Sequence, residues 1–174
     1  MSEPSKQPEA TFTRGLSAPL GVLRPLIVFF ATGAGAGFVP IAPGTAGSLV
    51  GLLLARFVCA PMWIRSPAAF LVFFGVIFVA ACFVAGAAER IWSEHDSSRI
   101  VLDEVLGMVA AMAFNPPGWV WLAVGLLLFR LLDIIKPWPA IRFDRMHGGA
   151  GVMLDDLAAG IYANVMLQVL RRII

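Results

Sequence analysis

The sequence predicts an all-α fold, a multi-pass integral membrane helical bundle with short or broken helices and a polar site at one face. Three observations carry that expectation. The 174 residues are 59% hydrophobic and only 14% charged, with a mean hydropathy of +0.85, whereas a soluble domain carries about 25% charged residues. Residues 66–88 are twenty-three uncharged positions in a row, enough to cross a bilayer. The charges that remain are gathered: residues 130–156 hold Arg130, Asp133, Lys136, Arg142, Asp144, Arg145, Asp155 and Asp156 between two apolar runs. Charge beside membrane-grade segments is costly and marks function.

Taken in order, residues 1–19 are polar, residues 1–24 read as a disordered tail, and residues 25–174 as one membrane-embedded domain. Residues 25–55 carry no charge, but glycines and prolines between Gly33 and Gly47 interrupt them. Such a break is tolerated only where the backbone is buried in protein or lines a cavity. A short helix is expected at 24–32, a loop at 33–43, and a second helix from about Thr45 to 58, with Gly44 and Thr45 as caps. A turn at 60–67 leads to the long span, which ends at Glu89 and Arg90. Residues 89–104 form a polar connector. The next apolar run stops after ten residues at Asn115-Pro116-Pro117-Gly118, and ten helical residues cover only about 15 Å. Residues 105–133 therefore read as a hairpin of short helices, re-entrant or tilted. The last helix is expected at 152–170, with Asp155 and Asp156 at its mouth. No removable signal segment is visible.

With the N-terminus inside, this topology puts nine bases on one side (Lys6, Arg14, Arg24, Arg90, Arg99, Arg130, Lys136, Arg142, Arg145) and four on the other (Arg56, Arg65, Arg171, Arg172). That agrees with the positive-inside rule and brings 40–48, 89–104 and 130–156 to the cytoplasmic face.

Two acidic pairs, Asp103-Glu104 and Asp155-Asp156, stand at helix starts. Each alone could complement a helix dipole. Two on one face, with Asp133 as a fifth acid, suit Mg²⁺, which takes oxygen ligands. Asp133 could equally be a plain i,i+3 partner of Arg130. Arg130, Lys136 and Arg142 are bases that could hold a phosphate, and the helix start at 43–48 adds amides and the Thr45 and Ser48 hydroxyls. Close small-residue packing is the alternative for that stretch. His95 and His147 are the only histidines, and no Cys/His cluster exists for zinc. Cys59 and Cys82 read as buried apolar thiols. The net charge of +2 names no polyanion, so no nucleic-acid partner is expected.

Four ordered motifs then resemble one family. They are PIAPGTAGS at 40–48, Asp96 with IVLDEVLG at 100–107, FRLLDIIKPWP at 129–139 and HGGAGVMLDDLAAG at 147–160. Together they resemble phosphatidylglycerophosphatase A over residues 30–170. Arg99 departs from the pattern. The resemblance implies a Mg²⁺-dependent phosphatase of the bacterial inner membrane, taking the terminal phosphate from phosphatidylglycerophosphate to leave phosphatidylglycerol. On that reading Asp103, Glu104, Asp133 and Asp156 are catalytic. Asp103, Glu104, Asp133, Asp155 and Asp156 bind one or two Mg²⁺. Thr45, Ser48, Arg130, Lys136 and Arg142 bind the phosphate. Water is the expected nucleophile, with one of these carboxylates or Thr45 left open. The competing readings are a CDP-alcohol phosphatidyltransferase, whose spaced acid pattern is absent, and a small ion-coupled transporter with interfacial carboxylates, for which no inverted repeat is visible.

Overall fold

The computed structural model describes residues 17–94, 97–143, 146 and 148–173. His95, Asp96, Asp144, Arg145 and His147, and residues 1–16 of the expected tail, lie outside them. Helix α1 (Ser17–Ala31) starts earlier than the expected 24, so residues 17–24, assigned above to the tail, are helical. A loop with Gly33, Ala34 and Gly35 at positive φ and one 3-10 turn follows.

Helix α2 (Pro43–Leu54) begins two residues before the expected start. Neither Gly44 nor Thr45 caps it. Ala42 is the left-handed N-cap residue, and Pro43 sits in the first turn, where its missing N–H costs nothing. The expected turn at 60–67 is also corrected. Over Ala55–Cys59 the helix widens to π geometry just before Pro61, and α3 (Ala60–Arg65) continues it. The proline ring cannot accept the carbonyl one turn back, so the register slips instead of ending. The chain reverses only at Ser66, whose Oγ accepts the Ala69 N–H of α4 (Pro67–Trp92).

Helices α5 (Leu102–Met112) and α6 (Trp119–Ile135) form the expected hairpin of short helices. After α7 (Ala140–Phe143), α8 runs from Gly149 to Ile173. Its earlier start moves Asp155 and Asp156 from the helix mouth into the second turn. Among the described residues, three helical stretches are long and apolar enough to cross a membrane: Pro43–Arg65, Pro67–Trp92 and Gly149–Ile173.

Burial explains why α5 can be short. Eight of its eleven residues are buried, whereas α4 buries only Phe70, Ala81, Ala85 and Ala88. Met108, Val109 and Met112 of α5 form a core with Leu52 of α2, Leu122 and Phe129 of α6, and Ala159, Ala163 and Leu167 of α8. A second cluster joins Leu106 to Ala81 and Ala85 of α4, Val152 and Met153 of α8, and Ala31 of α1. A helix end inside apolar surroundings leaves carbonyls without partners. Here side-chain amides supply them. Asn164 Nδ2 of α8 donates to the carbonyls of Ala110, Ala111 and Ala113 at 2.7–3.0 Å. Asn115 Nδ2 donates to Ala111 and Ala113 at 3.2 and 3.4 Å.

Small residues bring the backbones together. A Cβ on Gly47 would sit 2.7 Å from the Val101 Cβ, and one on Gly51 would overlap the Val105 carbonyl. The small-residue packing expected as the alternative for 43–48 is therefore present. Cys59 is buried and Cys82 half-buried, both as free thiols.

Candidate active site

The start of α2, the start of α5, the end of α6 and the second turn of α8 meet at one end of the bundle. A Cβ on Gly44 would overlap Glu104 Oε1 and lie 3.1 Å from Arg130 Nη1, which fixes the contact of α2 with α5 and α6. At this end Asp103, Glu104 and Asp156 can each place a carboxylate oxygen within 4.8 Å of the others. The neighbours Asp103 and Glu104 diverge by about 100°, but both still come within reach of Asp156 from α8.

These acids are deeply set. Asp103 and Asp156 are 8% and 3% exposed. Asp103 Oδ1 accepts the Glu104 N–H at 3.0 Å. Among the described residues, Glu104 Oε2 and Asp156 Oδ2 are buried without a hydrogen-bond donor. Burial pushes the Asp103 carboxyl well above the usual carboxylate range, and the adjacent Glu104 charge adds to it. Burial also raises Glu104, with the Asp133 charge adding and Arg130 opposing. Buried acid oxygens without donors are costly unless a cation partners them. The donor set is all oxygen, so a hard divalent cation fits it.

Asp133 takes the second of the two roles foreseen for it: it pairs with Arg130 at 2.9 Å and is outside the group of three, although its charge is felt at Glu104. Arg130 also lies 3.9 Å from Glu104 and donates to Ser48 Oγ at 3.4 Å. Ser48 is fully buried and donates to the Gly44 carbonyl at 2.8 Å, so its hydroxyl faces the protein and steadies Arg130. Thr45 is half-buried one residue beyond Gly44.

Asp155 points elsewhere. Its Oδ2 pairs with Lys136 Nζ at 2.8 Å, and it is outside the group of three. Lys136 ends α6 in a left-handed conformation, φ 47°, before Pro137. Arg142 is exposed on α7. The structure thus gathers nine of the ten expected site residues at one end of the bundle, seven of them charged, and leaves Arg142 at the periphery. Sequence reasoning missed Gly44 as the contact of α2 with Glu104 and Arg130. It also missed Tyr162, whose hydroxyl donates to the Trp138 carbonyl at 2.7 Å. A seven-residue spacing from Asp155 was the only signal for Tyr162.

The family model for phosphatidylglycerophosphatase A matches residues 29–171. Three curated proteins are similar over most of their length. A phosphatidylglycerophosphatase A of Haemophilus influenzae is 34% identical over 150 residues, 85% of this chain and 90% of that protein. One of Escherichia coli is 36% identical over 137 residues, 75% of each. A protein of Bacteroides thetaiotaomicron, provisionally named a phosphatidylinositol-3-phosphatase, is 36% identical over 158 residues, 86% of this chain and 96% of its own. No solved structure matches.

Proposed function

This chain belongs to the phosphatidylglycerophosphatase A family, and we propose from that membership that it hydrolyses the terminal phosphate monoester of phosphatidylglycerophosphate, leaving phosphatidylglycerol and phosphate. The observation that carries the reading is the buried group Asp103, Glu104 and Asp156, with two donorless oxygens, beside Arg130 and Lys136. A phosphomonoester needs its charge neutralised and its leaving oxygen stabilised, and acids that hold a cation beside fixed bases supply both.

Asp103, Glu104 and Asp156 are the residues that would hold the ion, and Mg²⁺ is our choice for an all-oxygen set open to a phosphate ligand. When bound, Mg²⁺ polarises the phosphoryl oxygens and offsets their charge. If all were ionised, five acids (Asp103, Glu104, Asp133, Asp155, Asp156) against two bases (Arg130, Lys136) would leave a formal charge of −3. One divalent ion brings this to −1 and two bring it to +1, and only the latter attracts a phosphate dianion. Lys136 and Arg130 meet the phosphate, and Arg142 at the periphery draws the anionic head group inward. Thr45, at the helix start with its amides, offers a further contact. In the reaction water forms the new P–O bond and gives up a proton, the bond to the glycerol oxygen breaks, and that oxygen takes up the proton the water released. Asp133, next to the group of three and paired with Arg130, is our candidate to move that proton.

The end of the bundle that carries these residues faces the cytoplasm of a bacterial inner membrane, a side supported by the nine-to-four distribution of bases. The test is phosphate release by purified protein in mixed micelles, with phosphatidylglycerophosphate and phosphatidylinositol 3-phosphate as parallel substrates, with Mg²⁺ and with EDTA. We expect Mg²⁺-dependent release from the first lipid and far less from the second. Release from neither, or equal release in EDTA, overturns the reading.

A further inference from the structure

Helix α8 carries two side chains that hold the Lys136–Trp138 segment. Asp155 Oδ2 takes the Lys136 ammonium at 2.8 Å, and the Tyr162 hydroxyl donates to the Trp138 carbonyl at 2.7 Å. Seven residues separate them, and seven steps of 100° fall 20° short of two full turns. They therefore share one face of α8, about 10 Å apart along its axis. Asp156 looks to a different side, toward Asp103 and Glu104. The held segment needs support. Lys136 sits at φ 47°, a left-handed conformation that non-glycine residues rarely take, and Pro137 restricts it further.

We infer that Asp155 and Tyr162 are positioning residues, a two-point clamp that aims the Lys136 ammonium at the phosphate, and that Asp155 is not a metal ligand. This rests on the proposed role of Lys136 in holding phosphate. Adjacent acids on α8 thereby take separate tasks: Asp156 belongs to the cation group and Asp155 serves the base beside it. An ammonium on a flexible stem is a poor phosphate holder unless its direction is fixed, and a buried carboxylate (Asp155 is 7% exposed) fixes it.

The test separates cation from phosphate. Mn²⁺ binding to the substrate-free protein is read by electron paramagnetic resonance, phosphate affinity by inorganic phosphate as a competitive inhibitor, and turnover by kcat and KM. For Asp155→Asn we expect Mn²⁺ affinity within about twofold of wild type, while KM and the phosphate inhibition constant rise about tenfold, the usual scale for a lost supporting contact. Tyr162→Phe should shift the same two constants by a smaller factor, and Asp155→Glu should restore part of the loss. In the double variant Lys136→Met/Asp155→Asn the effects should not multiply. Asp156→Asn should instead weaken Mn²⁺ by more than tenfold. Loss of Mn²⁺ binding in Asp155→Asn equal to that in Asp156→Asn overturns the inference, as do losses at Lys136 and Asp155 that multiply fully. Wild-type protein that releases no phosphate from the lipid defeats the proposed function, and the Mn²⁺ comparison still decides whether Asp155 is a ligand.

Discussion

Gly107 and Gly160 meet where α5 crosses α8. A Cβ on Gly160 would overlap the Gly107 carbonyl, and one on Gly107 would lie 2.8 Å from both the Asp156 carbonyl oxygen and the Phe129 ring. This backbone-to-backbone approach is what lets Asp156 come within reach of Asp103 and Glu104.

The obstructing atoms are backbone at Gly160, and backbone plus the buried Phe129 ring at Gly107, so they cannot turn aside as an exposed side chain would. Gly160→Val and Gly107→Val should each destabilise by more than the 1–3 kcal/mol of ordinary overpacking and abolish phosphate release. Gly75→Ala is the control. A Cβ there meets nothing, so it should match or exceed wild-type stability by up to about 1 kcal/mol. Thermal melts in detergent check all three.

Replacing a carboxylate of the cation group without changing its shape should cost turnover. Asp103→Asn, Glu104→Gln and Asp156→Asn are each expected to lower kcat by roughly 10²–10³, the scale of a lost transition-state electrostatic contact. Each should also raise the Mg²⁺ concentration for half-maximal activity. Wild-type turnover at saturating Mg²⁺ in any of them removes that residue from the site.

Ionic repair at Arg130 should depend on shape as well as charge. Its guanidinium serves Asp133, Glu104 and Ser48 at once, which an ammonium cannot copy. Arg130→Lys should lose about tenfold in kcat/KM, by analogy with other supporting contacts, and Arg130→Met more. Steady-state kinetics on the same lipid micelles distinguish the two.

The pH response follows from the direction of the shifts. Asp103 and Glu104 hold their protons more tightly in the fold than in the unfolded chain. Their contribution to stability is complete below the ordinary carboxylate value of about 4 and is lost as pH rises through the raised folded values. Ion-free protein in EDTA should therefore melt lower as pH rises from 5 to 8 on account of these groups. Mg²⁺ competes with the same protons, so its stabilising shift should grow over that range. A Mg²⁺ shift that is the same at pH 5 and pH 8 would count against the cation site.

Much of this was readable in the chain. The short hairpin followed from Asn115-Pro116-Pro117-Gly118 cutting an apolar run, and the acid pairs from their positions beside membrane segments. Helix starts were less legible. The chain enters α2 through Pro43 and α8 through Gly149, residues that composition reads as loop. Partner choice within each acid pair was hidden as well. Asp155 and Asp156 look alike in sequence, and only the packing of α8 between α5 and α6 sends one to Lys136 and the other to the cation group. The Asn164 side chain gave no sequence signal of its role, because the carbonyls its Nδ2 donates to are fifty-one or more residues away.

Asn164 also imposes an order of events on biogenesis. Residues 102–135 leave the ribosome before α8, so the carbonyls of Ala110, Ala111 and Ala113 are at first held by the Asn115 side chain and the Ala113 N–H, at 3.2–3.4 Å. Weakly satisfied carbonyls favour the interface over hydrocarbon, and the hairpin should settle fully only when the C-terminal helix brings the shorter Asn164 bonds. Cysteine accessibility at position 113 in stalled nascent chains, high before residue 164 emerges and low afterwards, is the signature of that late seating. Equal protection in both sets of chains would show that the hairpin seats itself unaided.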